Sequence, residues 1–588
     1  MILQALTSLY EALAQKGEIS KEGWSREKIS FALSIDEEGN LLRVTPLFDT
    51  VDGPKGKTRE VPQKMTVPAA VKRTSGAAAN FLWDNSSYIL GVSLKKGEDD
   101  AEREKQRNKD IKCFEACREL HHSMLDGMEY PAAKAVLNFL DKWEPQKAEE
   151  NNLVAQYAKE ILSGANMVFR FNGGYVHDDP QLASVWQKAN AKQKDNIGQC
   201  LVTGALDEIQ NTHPTIKGVQ GAQSSGAALV SFNASAFCSY NKEQNQNAPV
   251  GKYAAFAYTT ALNHLLADRK NVHRIGDAAV VCWAENADKQ YEDFAAEVFF
   301  GDNVDKSDEQ RLSALRTSLK LLADGLPCKE MDLDPDRKFY ILGLSPNAAR
   351  LAVRFFYCDS FGKIAGNIYK HHERLEIVRP SYDKFPILPL WKLLSATVNP
   401  NAKDKTPNAA MAGAVARAVF SGGRYPASLL ECTFLRIKAE RNITRERAAI
   451  IKAYYLRNPN EKCPKEVLTV SLNENSKNIP YTLGRLFSVY EEIQQAANPG
   501  INTTIKDRYF GSAAAMPATV FPILSNLAQK HLRKLSDAQR VYLDKKVMTL
   551  KSVLGEQYPA HMSLPEQGSF DLGYYHQTQD RYTKKEDK

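Results

Sequence analysis

Nine cysteines in 588 residues are few, odd in number and scattered, and none stands in a Cys-x-x-Cys pair. Zinc ribbons and small disulfide scaffolds need paired spacings, so both are excluded and a reducing compartment is expected. Long apolar runs are missing too: nothing approaches the roughly 20 residues that cross a bilayer. The first segment, MILQALTSLYEALAQKGEI, has no basic region ahead of its apolar residues and reads as an amphipathic helix, not a signal peptide. The expected location is the cytoplasm, with no membrane partner.

Catalytic signatures are equally scarce. Neither a Gly-x-x-x-x-Gly-Lys-Ser/Thr phosphate loop nor a His-Glu-x-x-His helix occurs, and no His-Asp pair has phosphohydrolase form. His371 and His372 are adjacent, so a helix splays them about 100° apart and they do not face one metal. Cys113, Cys117 and His121 recur at four-residue spacing, which places them on one helix face. They lack a fourth ligand, and apolar packing accounts for them. Glu98, Asp99 and Asp100 lie in charged sequence that reads as solvated.

The best nucleophile is Ser224 in Ala222-Gln223-Ser224-Ser225-Gly226, which lacks the first glycine of a hydrolase elbow. Asp277 and His371 would complete a triad by chain order alone. The sequence therefore predicts a non-catalytic protein with no metal and no cofactor. A stand-alone DNA-processing or serine hydrolase-like enzyme is the alternative.

What the chain does have is a polar recognition stretch. Gly218 to Gly251 holds eight side-chain amides and five serines around only two charged residues. An amide offers a donor and an acceptor side by side, the pattern that reads a base-pair edge. The net charge of +7 is modest but uneven. Arg424 to Glu466 carries ten basic and five acidic residues, and Leu524 to Ser552 seven basic and two acidic. Basic charge in the C-terminal third permits a polyanion surface and also fits solvated helix faces.

Pattern and turn chemistry predict an α+β fold. FALSIDEEGNLLRVTPLFD (Phe31 to Asp49) reads as a hairpin, and MVFRFNGGYVHD as another turning at Asn172-Gly173. Apolar runs from Ala278, Arg337 and Arg350 read as strands of a mixed sheet. A Pro/Asn/Lys-rich stretch follows, and beyond it the period is helical: Leu483, Leu486, Phe487, Tyr490 and Ile493 form one stripe. The expected organisation is an α+β body over 1–395, a linker over 396–410 and a helical bundle over 411–588.

Several long strings, in order, resemble a known family. They are Val71 to Gly76 followed by NFLWDN and Tyr88, then GAQSSGAALVSFN, QNQNAPV, LSPNAARLAVRFF, SLLECTFLRIKAERN and SLPEQGSFDLGYYHQTQDRY. Together they resemble the large subunit of the type I-C CRISPR Cascade, the RNA-guided surveillance complex of bacterial antiviral defence. The resemblance implies a subunit at the crRNA 5′ end that recognises the protospacer-adjacent motif (PAM) in double-stranded DNA. It further implies help in opening the duplex and in stabilising the R-loop, with a docking surface for a helicase-nuclease.

Implied partners are the crRNA with its backbone and 5′-end subunits, target DNA, the helicase-nuclease and a small subunit. Residues 481–588 resemble that small subunit, which in type I-C systems is commonly an internal translation product of the same gene.

Within that resemblance, Gln220, Gln223, Asn233, Gln244 and Asn247 are candidate base readers, with Ser224 and Ser225 on the DNA backbone. Lys72 and Arg73 are assigned phosphate or minor groove, and Asn80 and Asn85 a weaker role. Phe81, Leu82, Trp83 and Tyr88 are expected to form a core beneath that loop. Arg436, Lys438, Arg441, Arg445, Arg447 and Lys452 are expected along the displaced strand, with Tyr454 and Tyr455 available for stacking and at least one of them in the core.

Overall fold

Strands Phe31–Ile35 and Leu41–Pro46 pair antiparallel across the Glu-Glu-Gly-Asn turn, where Asp36 accepts from the Asn40 backbone amide at 2.7 Å. The second hairpin turns where Asn172 and Gly173 take φ of 47° and 85°, as a tight two-residue turn requires. This computed structural model describes residues 1–52, 58–71, 73, 76–94, 100–191, 196–232, 234–301 and 309–582. The architecture is α+β, and the chain forms two compact units. The larger comprises Met1–Leu9, Pro214–Ser231 and Leu262–Lys588; the smaller comprises Tyr10–His213 and Phe232–Ala261.

In the smaller unit, a mixed sheet runs in the order Leu41–Pro46, Phe31–Ile35, Asn166–Phe171, Trp83–Asn85, with the middle pair parallel. Helices Asp100–Leu125 and Pro131–Lys142 share its core with Phe31, Phe81, Phe139 and Phe169. His121 is buried there: its Nε2 accepts from the Leu82 amide at 2.9 Å, and its Nδ1 donates to the Cys117 carbonyl at 2.7 Å. Burial holds the imidazole neutral, with its pKa down at about 4. Both ring nitrogens thus serve the core, and Leu82 is held at φ 63°. A second, antiparallel sheet joins Trp24–Ile29, Thr58–Pro68 and Phe48–Asp52.

In the larger unit, His273–Ile275, Ala278–Ala284, Lys338–Asn347 and Arg350–Ser360 form a sheet that is wholly antiparallel, where a mixed one was expected. Two-residue turns at Gly276-Asp277 and Ala348-Ala349 dictate this for the two outer pairs, since parallel neighbours need a long crossover, while the middle pair, joined through residues 285–337, is antiparallel by its register. One hydrophobic core runs from Ile275 on this sheet to Tyr575 in the last helix.

The expected boundary at 396–410 is therefore not a division between units. That segment is irregular through Asn408, yet Leu393 and Leu394 before it and Met411 and Ala412 after it enter the same core. The last strand ends at Ser360, and helices Phe361–Leu375 and Leu390–Ser395 already precede the segment, so the composition change falls among helices of one core.

The helix Ile479–Ala497 buries its expected apolar stripe completely, and most of its other faces too. Its buried polar residues find partners: Arg485 donates to Gln577 at 3.1 Å, and Glu491 accepts from Tyr574 and Thr504, each at 2.6 Å. Asn478 caps the helix by accepting from the Tyr481 amide at 2.9 Å. Tyr481, the expected approximate start of a small-subunit-like region, thus lies inside the first turn and not at its beginning. Among the described residues, no helix is long and apolar enough to cross a membrane.

Candidate nucleic-acid interface

The amide-rich stretch is divided between the two units at Ser231 and Phe232. In the larger unit, Ile216 and Ala227 exchange backbone hydrogen bonds of 2.9 and 2.8 Å and close a loop over residues 217–226. Val219 is buried and anchors the loop, while Asn263 accepts from the Lys217 amide at 2.8 Å and donates to the Thr215 carbonyl at 3.1 Å. Gly226 has φ 104°, and a methyl group there would lie 2.7 Å from Thr215 Cβ, so only glycine closes the turn.

This scaffold leaves Gln220, Gln223, Ser224 and Ser225 exposed together. Gln220 Oε1 accepts from Arg274 Nη1 at 3.0 Å, and Arg274 Nε donates to the Gly276 carbonyl at 3.1 Å. Arg274 is a member of this surface that sequence reasoning missed.

In the smaller unit the amides behave differently. Asn247 accepts from the Ser239 amide at 2.9 Å and donates to the Lys242 and Gln244 carbonyls at 3.0 and 2.9 Å. Its amide is spent on shaping the loop, which corrects its assignment as a base reader. Gln244 is exposed, at φ 42°. Asn233 lies outside the described residues.

Arg73, Asn80 and Asn85 form the inner frame of the loop that follows strand Thr58–Pro68. Arg73 Nε donates to the Ala78 carbonyl at 2.7 Å, its Nη2 pairs with Asp84, and its guanidinium carbon lies 4.0 Å from the centre of the Tyr88 ring. Asp84 also accepts from the Asn80 and Asn85 amides at 2.8 and 2.7 Å. Burial pushes the Asp84 carboxyl above the usual range, with Arg73 opposing that shift.

Asn80 is buried and accepts from the Val71 amide at 2.9 Å; Asn85 caps the short helix Ser86–Ile89 through the Ser87 amide at 3.0 Å. These three residues hold the loop, and neither asparagine has its acceptor oxygen free for a base. Lys72 lies outside the described residues. Phe81, Leu82, Trp83 and Tyr88 are buried beneath, as expected.

The same unit carries a cationic face that sequence reasoning passed over. Lys28 pairs directly with Lys64, and Arg26 with Thr66, all exposed on the antiparallel ladder. Like charges directly opposite one another destabilise a sheet unless an anion intervenes. The alternation in WSREKI was the signal: Arg26 and Lys28 must share a face.

In the helical region the expected basic line splits. Lys438 and Arg441 are exposed, and Arg436 is half-buried, 3.7 Å from Glu440. Arg445, Arg447 and Lys452 are buried, which corrects their assignment to the displaced strand. Arg445 binds Asp383 at 2.9 Å with the Phe385 and Pro386 carbonyls. Arg447 binds Glu440 at 2.6 Å with the Ala396 and Asn442 carbonyls. Lys452 donates to the Arg374 carbonyl at 3.0 Å, and burial lowers its pKa to about 8. Tyr455 is in the core and Tyr454 is half-buried, their rings perpendicular at 87°. Lys530, Arg533, Lys534, Arg540 and Lys545 are exposed.

The triad of the alternative reading does not assemble among the described residues. Ser224 is exposed, Asp277 pairs with Arg354 at 2.7 Å, and buried His371 is hydrogen-bonded to Tyr425 at 2.6 Å.

A family model described as CRISPR-associated protein (Cas_Csd1) matches residues 6–582. No curated protein matches the chain.

Proposed function

The chain belongs to the CRISPR-associated Cas_Csd1 family, and from that premise we propose that it is the large, non-catalytic subunit of a type I-C Cascade that reads the PAM in double-stranded DNA. The match over nearly the whole chain carries this reading. Guide pairing supplies specificity over the protospacer, so the protein has only a short duplex motif to read. Gln220 and Gln223, exposed on a glycine-closed loop, suit base-edge contact, and Ser224, Ser225 and Arg274 suit the adjoining phosphates.

Each unit contributes its own surface. In the smaller unit, Arg26, Lys28 and Lys64 suit a nucleic-acid backbone, and Lys72 keeps the phosphate role that the sequence assigns it. In the larger, Arg436, Lys438 and Arg441 suit the displaced strand during R-loop formation. The partners of this reading are the crRNA with its backbone and 5′-end subunits, a small subunit and a helicase-nuclease recruited after opening, all in the cytoplasm.

Affinity purification of the chain co-expressed with its CRISPR array and neighbouring subunits tests the proposal. Co-elution with guide RNA and subunits, without DNA cleavage, is expected. An RNA-free chain that cuts DNA by itself would overturn it.

A further inference from the structure

A cavity of about 330 Å³ in the larger unit plays no part in the reading above. It lies among helix Glu309–Ala323, helix Phe361–Leu375 and residues 386–388, with Leu319, Leu375 and Leu388 as buried apolar wall. Its polar lining includes two cations without a carboxylate partner among the described residues. Arg316 and Lys320 are four residues apart on one helix, exposed, and in no ion pair among the described residues. Like charges one turn apart repel, so the pair is unfavourable as it stands.

From the facing helix, His372 lines the same cavity, and neither of its ring nitrogens is hydrogen-bonded among the described residues. Burial and the charge of Arg316 keep it neutral, its pKa down at about 4. Arg445, whose side chain is only 6% exposed, completes the set. Its Nη atoms are satisfied, but its buried Nε has no acceptor. An anionic ligand bound between Arg316 and Lys320 would relieve the repulsion of these two unpaired cations.

The volume exceeds what a phosphate alone fills, and Tyr369 with the leucine wall offers a flat apolar surface beside the cations. We propose that this cavity binds a nucleotide, its phosphate held by Arg316 and Lys320 and its ring against Tyr369 and the leucines. Glu373 and Glu376 stand exposed in the lining. They disfavour a ligand with negative charge at both ends and can accept from a base amino group. The nucleotide comes either from solution or as the 5′-phosphorylated end of a strand. The inference does not depend on PAM reading, because it is tested on the full chain without duplex DNA.

Calorimetric titration with adenosine 5′-monophosphate, inorganic phosphate and a 5′-phosphorylated trinucleotide, on wild type and Arg316→Glu/Lys320→Glu, decides it. Both positions are exposed, and a thermal melt checks that the variant folds. Adenosine monophosphate should saturate the wild type and bind more tightly than phosphate. The variant should lose ~10-fold or more, as expected for charge-assisted hydrogen bonds. Trinucleotide binding as tight as the mononucleotide assigns a strand end; mononucleotide binding alone assigns the free ligand. Absence of saturable binding, phosphate as tight as nucleotide, or equal binding by wild type and variant would overturn the assignment.

Discussion

Arg274 donates to Gln220 Oε1 at 3.0 Å, joining residues 54 positions apart and placing a cation beside the exposed loop. The contact occupies the Gln220 oxygen, so under the proposed reading Gln220 offers a base its donor and Gln223 offers both functions. A charged group on a phosphate carries no sequence information. Arg274→Ala should therefore weaken binding of the assembled complex to all PAM variants alike. It should also lower the slope of log affinity against log salt by about one, measured by fluorescence anisotropy.

Buried and exposed cations of the helical region should separate cleanly. Arg447 is buried against half-buried Glu440 and two backbone carbonyls, and removing it costs about 3 kcal/mol, the low end for a buried pair. Arg447→Ala should lower the denaturant midpoint strongly. Lys438→Glu/Arg441→Glu should leave that midpoint unchanged and reduce R-loop yield, read by permanganate footprinting. A stable Arg447→Ala protein would contradict the burial assignment.

Helices Ile479–Ala497 and Leu564–Tyr582 touch backbone to backbone. A methyl group at Gly484 would lie 2.0 Å from the Phe570 carbonyl oxygen, and one at Gly573 2.1 Å from that of Tyr481. The overlap is with backbone, which cannot swing aside, so Gly484→Ala should cost about 3 kcal/mol or more. Thermal melting measures it, and an unchanged melt would show that the helices lie farther apart.

Acid should destabilise the fold through its buried histidines. Burial lowers the pKa of His121 to about 4 and of His576 to about 3. In the unfolded chain each takes up a proton near pH 6.5, while the folded form does not, so stability falls as pH drops from 6.5 towards 4. Unfolding midpoints measured across that window should decline. Replacing His576 with glutamine should flatten part of the decline.

Short-range chemistry was legible in the sequence. The Asn172-Gly173 turn and the stripe from Leu483 to Ile493 follow from positive φ and helical period, and both are where the sequence puts them. The two-unit division was not legible, because the chain leaves the larger unit at Ser231 and returns to it at Leu262 without a change of composition. Charge counts likewise give no address. Arg445 and Lys452 look solvated in a basic segment, but helix Arg445–Arg457 packs between helices Phe361–Leu375 and Leu564–Tyr582. The acceptors that decide their fate, Asp383 and the Arg374 carbonyl, lie far off in sequence. Asn247 was misassigned for the opposite reason: its partners are so local that it closes its own turn.

In the proposed reading, PAM discrimination rests on Gln223. The decisive measurement is equilibrium binding of the crRNA-loaded complex to matched duplexes that differ only in the three base pairs of the PAM, for wild type and Gln223→Ala. The prediction is that the variant loses ~1–3 kcal/mol of discrimination, the worth of one bidentate amide contact, and keeps its affinity for the non-preferred flanks. Unchanged discrimination, or an equal loss on every flank, would contradict the assignment of motif reading to this loop.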